Sequence, residues 1–539
     1  MLRTSDRFVE MCVVLTIVLS YLAAGLLYSE YFYLLSAVAL VVPVFLKDKI
    51  KVNRPLLIVM GLISAYGILM SFLGINREKA VRGAGEIIFY TTVYLIFSAA
   101  DDGKRLLDTV TKALIWCSVF SFVVNISAHF MKILPLVDGK EAFSLVIPYP
   151  NTLGLLFAFA AFSCLQKKHP FYVFAHIVCL CGIFCTRSTG VVVIYFVSVC
   201  FYLLLNKKYK ILTLTVIMLL VGFVAVIHKI SFGGFAERQI YYCDAVSIFF
   251  DFPLGCGKGG WSSIYPQYQS GVYATENVHS VLFQAMTDYG IIGVVSVVGM
   301  IVILLYLCLK CAKVDYPFAT NVMISGCMIF GHGMIDADFE FPLILVIVIA
   351  MLTSILKQSG LSLHTFNIRN PHKALFVVLG IFFATTAVSW FCYTSGYKNY
   401  VNGKTAKAQS ELSVAVRLNP CNSSGYYLLY QMSENEEYIN RAIKLDRHNP
   451  KLFAAIAAKT DDEKMWHKVI DKHPLNIAAY EKLFEIYDRK NEREKIKKLY
   501  ELYSESAARI SPDGKKLKNH YIFKLSAKTE NIIRKHQYR

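Results

Sequence analysis

The chain has 539 residues, 55% of them hydrophobic and 17% charged, with a formal net charge of +18. Soluble domains average about 25% charged residues, so the composition excludes an ordinary soluble enzyme and points to the membrane class. Among the 14 cysteines, Cys179, Cys181, Cys185 and Cys200 lie inside apolar runs. Their spacing suits neither a zinc knuckle nor a disulfide framework, and they read as small hydrophobes.

Apolar windows recur near residues 9–27, 31–46, 55–74, 85–100, 106–128, 150–165, 171–185, 190–205, 210–229, 280–309, 318–331, 341–356 and 374–391. They predict an all-α polytopic bundle of about twelve to fourteen spans, several shorter than the ~20 residues that cross a bilayer unaided. The first run lacks a small-residue cleavage site and reads as a retained span. Basic residues fall on alternate connections: Arg3 and Arg7, Lys47 to Arg54, Lys104 and Arg105, Lys167 and Lys168, Lys207 to Lys210, Lys310 and Lys313, Lys357 to Lys373. An excess of Lys and Arg marks the cytoplasmic side. The loop 230–279 and the short loop 331–341 are then expected outside, as is the C-terminal domain. Arg77, Lys79 and Arg82 break the pattern. They suit either a phosphate-binding outer face or a misplaced span.

The expected division is a membrane domain, 1–396, and a polar helical domain, 397–539. In the second, Arg417-Leu418-Asn419-Pro420, Lys444 to Pro450 and Asp471 to Asn476 are similar boundaries that follow amphipathic stretches such as Ala406 to Val416 and Glu437 to Ile443. Their spacing suits a tetratricopeptide-like array, with a plain helical bundle as the alternative. Tyr480, Phe484, Tyr487, Leu499 and Tyr503 supply core positions. From Arg509 the chain is strongly basic and reads as a solvated end, or as a tail resting on anionic headgroups. Nucleic acid is not an expected partner.

The polar, Gly-rich loop 230–279 is the longest interruption of the apolar pattern, and loops of this length are usually functional or disordered. A lipid-diphosphate donor needs guanidinium groups on its phosphates, a base for the attacking hydroxyl, an apolar groove, and glycines where backbone approaches the head group. Arg187, in the break Thr186-Arg187-Ser188-Thr189-Gly190, is a diphosphate ligand or an interfacial arginine. Arg238 opens a helix expected over Glu237 to Phe250, and is a ligand or a charged cap. Gly255 and Gly257 sit in tight turns. His279, at the mouth of the next apolar run, is a base or a structural histidine. His332 and Asp336, spaced i, i+4, are expected on one helix face. No HExxH, EF-hand, Walker or GxSxG pattern is present, so neither metal nor cofactor is expected.

In order, these pieces resemble the O-antigen ligase and polymerase family, over roughly residues 10–356. Arg238 with its helix and Asp251-Phe252-Pro253-Leu254-Gly255-Cys256-Gly257 is similar to the family's Arg-helix-PxGxG stretch. Val278-His279-Ser280-Val281-Leu282 with Asp288-Tyr289-Gly290-Ile291-Ile292-Gly293 is similar to its HNxxL…ExGxxG signature. Gly331 to Asp336 and Pro342, Tyr149-Pro150-Asn151-Thr152-Leu153-Gly154 and Thr186-Arg187-Ser188 resemble three further motifs. Ser280 stands where Asn is usual, and Asp288 where Glu is common.

The resemblance implies a GT-C-like, metal-independent, inverting glycosyltransferase of the bacterial cytoplasmic membrane. It would carry a polyprenyl-pyrophosphate-linked glycan to a glycan, lipid or protein hydroxyl outside the cell. His279 would be the activating base, Arg187 and Arg238 the diphosphate ligands, and Asn151, His332 and Asp336 would shape the site. The helical domain resembles that of tetratricopeptide-bearing relatives, including protein O-oligosaccharyltransferases, and would present an acceptor or a protein partner. A transporter or flippase for lipid-linked glycans is the alternative from another class, and it calls for charges near the bilayer midplane.

Overall fold

The computed structural model of the protein describes residues 4–137, 140–211, 213, 216, 233–517 and 522–537. The chain is helical, as its apolar periodicity predicts. Each expected window coincides with a helix except that near 210–229, most of which lies outside the described residues. Five helices are long and apolar enough to cross a membrane by length and composition, among the described residues: α3 (Arg54–Leu73), α4 (Arg77–Ser98), α5 (Gly103–Phe130), α11 (Val281–Cys311) and α14 (Asn370–Val401). Five shorter apolar helices accompany them: α2 (Ser29–Phe45), α6 (Pro150–Cys164), α7 (Pro170–Cys185), α8 (Thr189–Leu205) and α13 (Pro342–Gln358). Helices α1 (Thr4–Leu22) and α12 (Tyr316–Gly333) fill the remaining windows.

Two compact units emerge. One comprises Met1–Tyr66, Gly85–Ile230 and Ser296–Trp390; the other comprises Gly67–Ala84, Ser231–Val295 and Phe391–Arg539.

At the centre of the first unit lie α6 and α13, in which nearly every side chain is buried. A helix apolar all round belongs inside protein, which is why these two need not reach the length of a lone span. Both begin with proline at the first helical positions, where its missing N–H costs nothing. Helix α3 is the opposite case: it is just as apolar, yet only Gly67 and Met70 are buried. Its surface suits lipid.

The basic connections of this unit gather together. Strands β1 (Lys49–Val52) and β4 (His364–Asn367) pair antiparallel, with Lys49 opposite Asn367 and Val52 opposite His364. Lys373 reaches Asp48 at 2.8 Å, and Lys357 donates to the Ser98 carbonyl at 2.9 Å. Lys104 pairs with Asp315, Arg105 with Glu10 and Lys167 with Asp108. Alternate connections from far apart in sequence thus share one end, as the charge pattern implied. The remaining connections group elsewhere: Leu145 N–H donates to Asn125 Oδ1 at 3.1 Å and Phe143 N–H to the Cys185 carbonyl at 3.3 Å. A two-residue ribbon, β2 (Leu136–Val137) with β3 (Lys140–Glu141), belongs to this second group.

The second unit contains the loop region, which is folded. Helices α9 (Gly233–Asp251) and α10 (Trp261–Tyr268) pack Ile240, Tyr241, Ala245, Ile248, Trp261 and Ile264 into a core with Ile75, Tyr273, Val278 and Leu517. Helix α9 covers the predicted Glu237–Phe250. Helix α11 is kinked at Gly290 (φ +60°), so the long apolar window 280–309 is not one straight helix.

Beyond α14 follow α15 (Thr405–Leu418), α16 (Ser423–Ser433), α17 (Glu436–Leu445), α18 (Pro450–Thr460), α19 (Glu463–Lys472), α20 (Ile477–Arg489) and α21 (Arg493–Ala508). Asn422, Asn435, Asn449, Asp462 and Asn476 cap the starts of α16 to α20 with side-chain acceptors. Tyr480, Phe484, Tyr487 and Leu499 are buried together, with Tyr503 packed against them. Glu78, at the start of α4, accepts from Ser423 Oγ at 2.8 Å, Ser424 N–H at 2.9 Å and Ser424 Oγ at 3.1 Å. Asn76 donates to Asp446 at 3.0 Å, and Ser511 N–H to the Ser270 carbonyl at 2.8 Å. The expected solvated tail is a correction. Phe523, Ile532 and Ile533 join the core, and α22 (Ala527–Gln537) pairs Lys528 with Glu485 and Lys535 with Asp488. Apolar residues at helical spacing hold this tail down despite its charge.

Candidate functional site

Within the first unit, the start of α6, the turn before α8 and the segment after α12 meet. A Cβ on Gly154 would lie 2.8 Å from Thr186 Oγ1, and one on Gly190 would lie 3.2 Å from His332 Nε2. Asn151 Nδ2 donates to Asp336 Oδ2 at 2.6 Å, and the Tyr149 hydroxyl donates to Asp336 Oδ1. Asp336 also accepts from the Ala337 N–H at 2.8 Å. Beneath this, His332 Nδ1 meets Asp338 Oδ2 at 2.5 Å, and Thr152 Oγ1 donates to Asp338 Oδ1 at 2.8 Å. Asp336, Asp338 and His332 are all buried. Buried carboxylates need this degree of hydrogen bonding to offset lost hydration.

The structure corrects one expectation here. His332 and Asp336 do not share a helix face, because α12 ends at Gly333. Asp336 turns to Tyr149 and Asn151, while His332 takes Asp338 as its partner. Arg187 is exposed, in the left-handed region (φ +59°), where its N–H bonds to the Phe184 carbonyl as α7 ends. That conformation is ordinary just past a helix C-terminus.

The second unit holds Arg238, Gly255, Gly257 and His279. His279 is half-buried, and its φ of +58° precedes a helix, so no C-cap accounts for it. A left-handed non-glycine residue costs roughly 1–3 kcal/mol and persists only where neighbours hold it. The Tyr242 hydroxyl donates to the His279 carbonyl at 3.0 Å, and the Tyr242 ring stacks on Phe283 with centroids 4.5 Å apart. The Tyr241 ring lies 6.2 Å from the imidazole. Burial pushes the Tyr241 hydroxyl well up, Glu237 adds to the rise, and the Arg238 guanidinium opposes it. Arg238, three residues before Tyr241 on α9, is a helical neighbour of the tyrosine whose ring lies near His279. Burial likewise raises the Asp244 carboxyl, against hydrogen bonds from Tyr273 and Ser270 that fix the chain leading toward His279.

The glycines of the loop lie against backbone. A Cβ on Gly255 (φ +90°) would come within 2.5 Å of the Asp288 carbonyl oxygen, and one on Gly257 (φ +79°) within 2.8 Å of Gly74 Cα. The Gly257 N–H bonds to the Asp288 carbonyl at 2.9 Å and the Gly259 N–H to Asp288 Oδ1 at 3.1 Å. Asp288 Oδ1 also accepts from Gln284 Nε2 at 3.1 Å, and Gln284 Oε1 accepts the Val278 N–H at 2.9 Å. One chain of bonds thus runs from the glycine loop to the residue beside His279.

Residues 174–298 match the O-antigen ligase family. A comparison with curated proteins finds no match. The O-antigen ligase match takes in Arg187, Arg238, Gly255, Gly257 and His279, and the matched family is one of membrane enzymes of the glycan ligase or polymerase type. Asn151, His332 and Asp336 lie outside the matched stretch.

Several partnerships in both clusters escaped the sequence reading, although Tyr149, Thr152 and Asp288 lie inside the motifs it quoted. Tyr149, Thr152 and Asp338 act across 186 or more residues of chain, and no local spacing marks them. Gln284 and Asp288 are i, i+4 on α11, a detectable pattern, but one that is common on helices. The Ser280 hydroxyl, where the family usually carries Asn, is buried without a hydrogen-bond partner.

Proposed function

We propose that the protein is a glycan ligase or polymerase of the bacterial cytoplasmic membrane. It takes a polyprenyl-pyrophosphate-linked glycan and transfers it to an acceptor hydroxyl on the extracytoplasmic face. The observation that carries this reading is the O-antigen ligase match over residues 174–298, which spans both arginines and the strained histidine.

In this reading the acceptor oxygen forms a bond to the anomeric carbon as the bond to the diphosphate oxygen breaks, inverting that carbon. His279 takes the hydroxyl proton; an imidazole suits the role near neutral pH. Arg238, in the same unit as His279, matches the leaving diphosphate, since planar guanidinium groups bind phosphate oxygens in pairs; Arg187 is a guanidinium of the same kind in the first unit. Asn151, His332 and Asp336 shape the place in the first unit where α6, α8 and the segment after α12 meet. Gly255 and Gly257 let the loop pack closely enough to carry His279. Helices α15 to α22 form a tetratricopeptide-like array that presents the acceptor or a protein partner.

The test is direct. Purified protein is incubated with lipid-linked glycan and acceptor in detergent, without any gradient. A covalent glycan–acceptor product with release of polyprenyl pyrophosphate supports transfer. In vesicles, movement of the lipid-linked glycan across the bilayer with no product would instead assign a flippase.

A further inference from the structure

Resting on the reading of His279 as the base, we infer that Tyr242 and Gln284 are positioning residues that hold the imidazole in its working orientation. His279 occupies the left-handed region just before α11, and the two residues hold the backbone on either side of it: Tyr242 the peptide that follows it, Gln284 the Asn277–Val278 peptide one unit earlier. On the carbonyl side, the Tyr242 hydroxyl donates to His279 O at 3.0 Å. On the amide side, Gln284 Oε1 accepts the N–H of Val278 at 2.9 Å. With the peptide after His279 and the one before Val278 both held, the backbone carrying the imidazole has little freedom, and the arc its ring can sweep is narrowed.

Each holder is itself held. The Tyr242 ring lies nearly parallel to Phe283, at 11° and 4.5 Å. The Gln284 amide is anchored by Asp288, whose other bonds go to the N–H groups of Gly257 and Gly259. The glycine loop is therefore coupled to the histidine through Asp288 and Gln284. Neither holder is proposed to touch the donor or the reacting hydroxyl. A catalytic group displaced by even an ångström loses much of its rate advantage while substrate binding persists.

The experiment measures initial transfer rates against donor concentration for full-length wild type, Tyr242→Phe, Gln284→Met and His279→Ala. Thermal unfolding in detergent is followed in parallel. Phenylalanine keeps the stack on Phe283 and removes only the hydroxyl; methionine keeps the length of Gln284 and removes both its bonds. The expected result is a fall in kcat of tenfold or more for Tyr242→Phe and Gln284→Met, with donor KM within twofold and the Tyr242→Phe unfolding midpoint unchanged. Unchanged kcat in both variants would overturn the inference, as would a rise in KM at constant kcat. If His279→Ala retains full activity, the role of His279 itself falls; if it is inactive while both other variants behave as wild type, only this inference falls.

Discussion

Asn151 and Asp336, 185 residues apart in the chain, are joined by a hydrogen bond of 2.6 Å. It ties the start of the most buried helix to the segment that follows α12, and the Tyr149 hydroxyl reinforces it on the other carboxylate oxygen. A buried carboxylate with two side-chain donors and a backbone donor is a joint between elements. Removing it takes their shared acceptor from all three donors, although Asn151 Nδ2 also reaches the Tyr149 hydroxyl at 3.2 Å.

Asp336→Ala is accordingly expected to destabilise the protein by about 2–3 kcal/mol, since hydrogen bonds to a buried charged group contribute about 1.5–3 kcal/mol. Asp336→Asn retains an acceptor oxygen and is expected to cost about 1 kcal/mol. Thermal unfolding in detergent distinguishes the two. Equal midpoints for both variants and wild type would show that the joint carries no stability.

Gly255→Ala is expected to destabilise by more than about 2 kcal/mol, because it combines a positive φ with a backbone clash. Gly299, in α11, is the control, since a Cβ there meets nothing within 4 Å. Gly299→Ala is expected to leave the unfolding midpoint unchanged or slightly raised, as alanine is the better helix former. A Gly255 variant as stable as the Gly299 variant would contradict the packing described for the loop.

Glu78→Ala removes the acceptor for Ser423 Oγ and for Ser424 N–H and Oγ at the start of α16. A carboxylate at a helix N-terminus is favoured by the helix dipole as well. The variant is expected to lose about 2–4 kcal/mol, taken as one charged acceptor and its stranded donors. Limited proteolysis should then cut more readily within 391–539. Wild-type protection would mean that Glu78 does not restrain α16.

How much of this was legible in sequence depended on how local each signal is. Helix α9 and the helices beyond α14 followed from apolar spacing, and Asn449-Pro450 marked a real start, with Asn449 capping and Pro450 at the first position. The His332/Asp336 spacing misled because four residues imply one helix face only while the helix continues, and α12 stops at Gly333. Asp338, six residues after His332, carries no helical signature, yet it is the partner. The glycines of the loop were expected to make room for a head group. The nearest neighbours of Gly255 and Gly257 are backbone atoms of residues 288–290 and of Gly74, which no linear pattern reveals. The basic tail misled through charge, since its burial depends on Phe523, Ile532 and Ile533.

Acid pH is expected to destabilise the second unit through two half-buried histidines. Burial lowers His448 and His473 to about 4 from 6.5. Their stabilising effect is present above pH 6.5 and is lost as pH falls toward 4. Burial pushes Asp446 up to about 6 from 3.8, against Ser263 and Asn449. Its effect has the opposite sign: full below 3.8, and lost as pH rises through 6. With two histidines against one aspartate, stability falls on acidification from pH 6.5 to 4.5. Asp446→Asn should steepen that fall, and His448→Gln with His473→Gln should abolish or reverse it. Unfolding midpoints across this range give the answer, and a flat wild-type profile would contradict the assignment.

The central claim is that His279 performs the chemistry, and the most direct measurement is transfer by a His279→Ala protein. Wild type and variant are compared at equal membrane abundance with lipid-linked glycan and acceptor, and covalent product is quantified. The account predicts normal insertion and thermal stability with product reduced by at least a hundredfold, in line with loss of a general base. Product at the wild-type rate from the variant would contradict it.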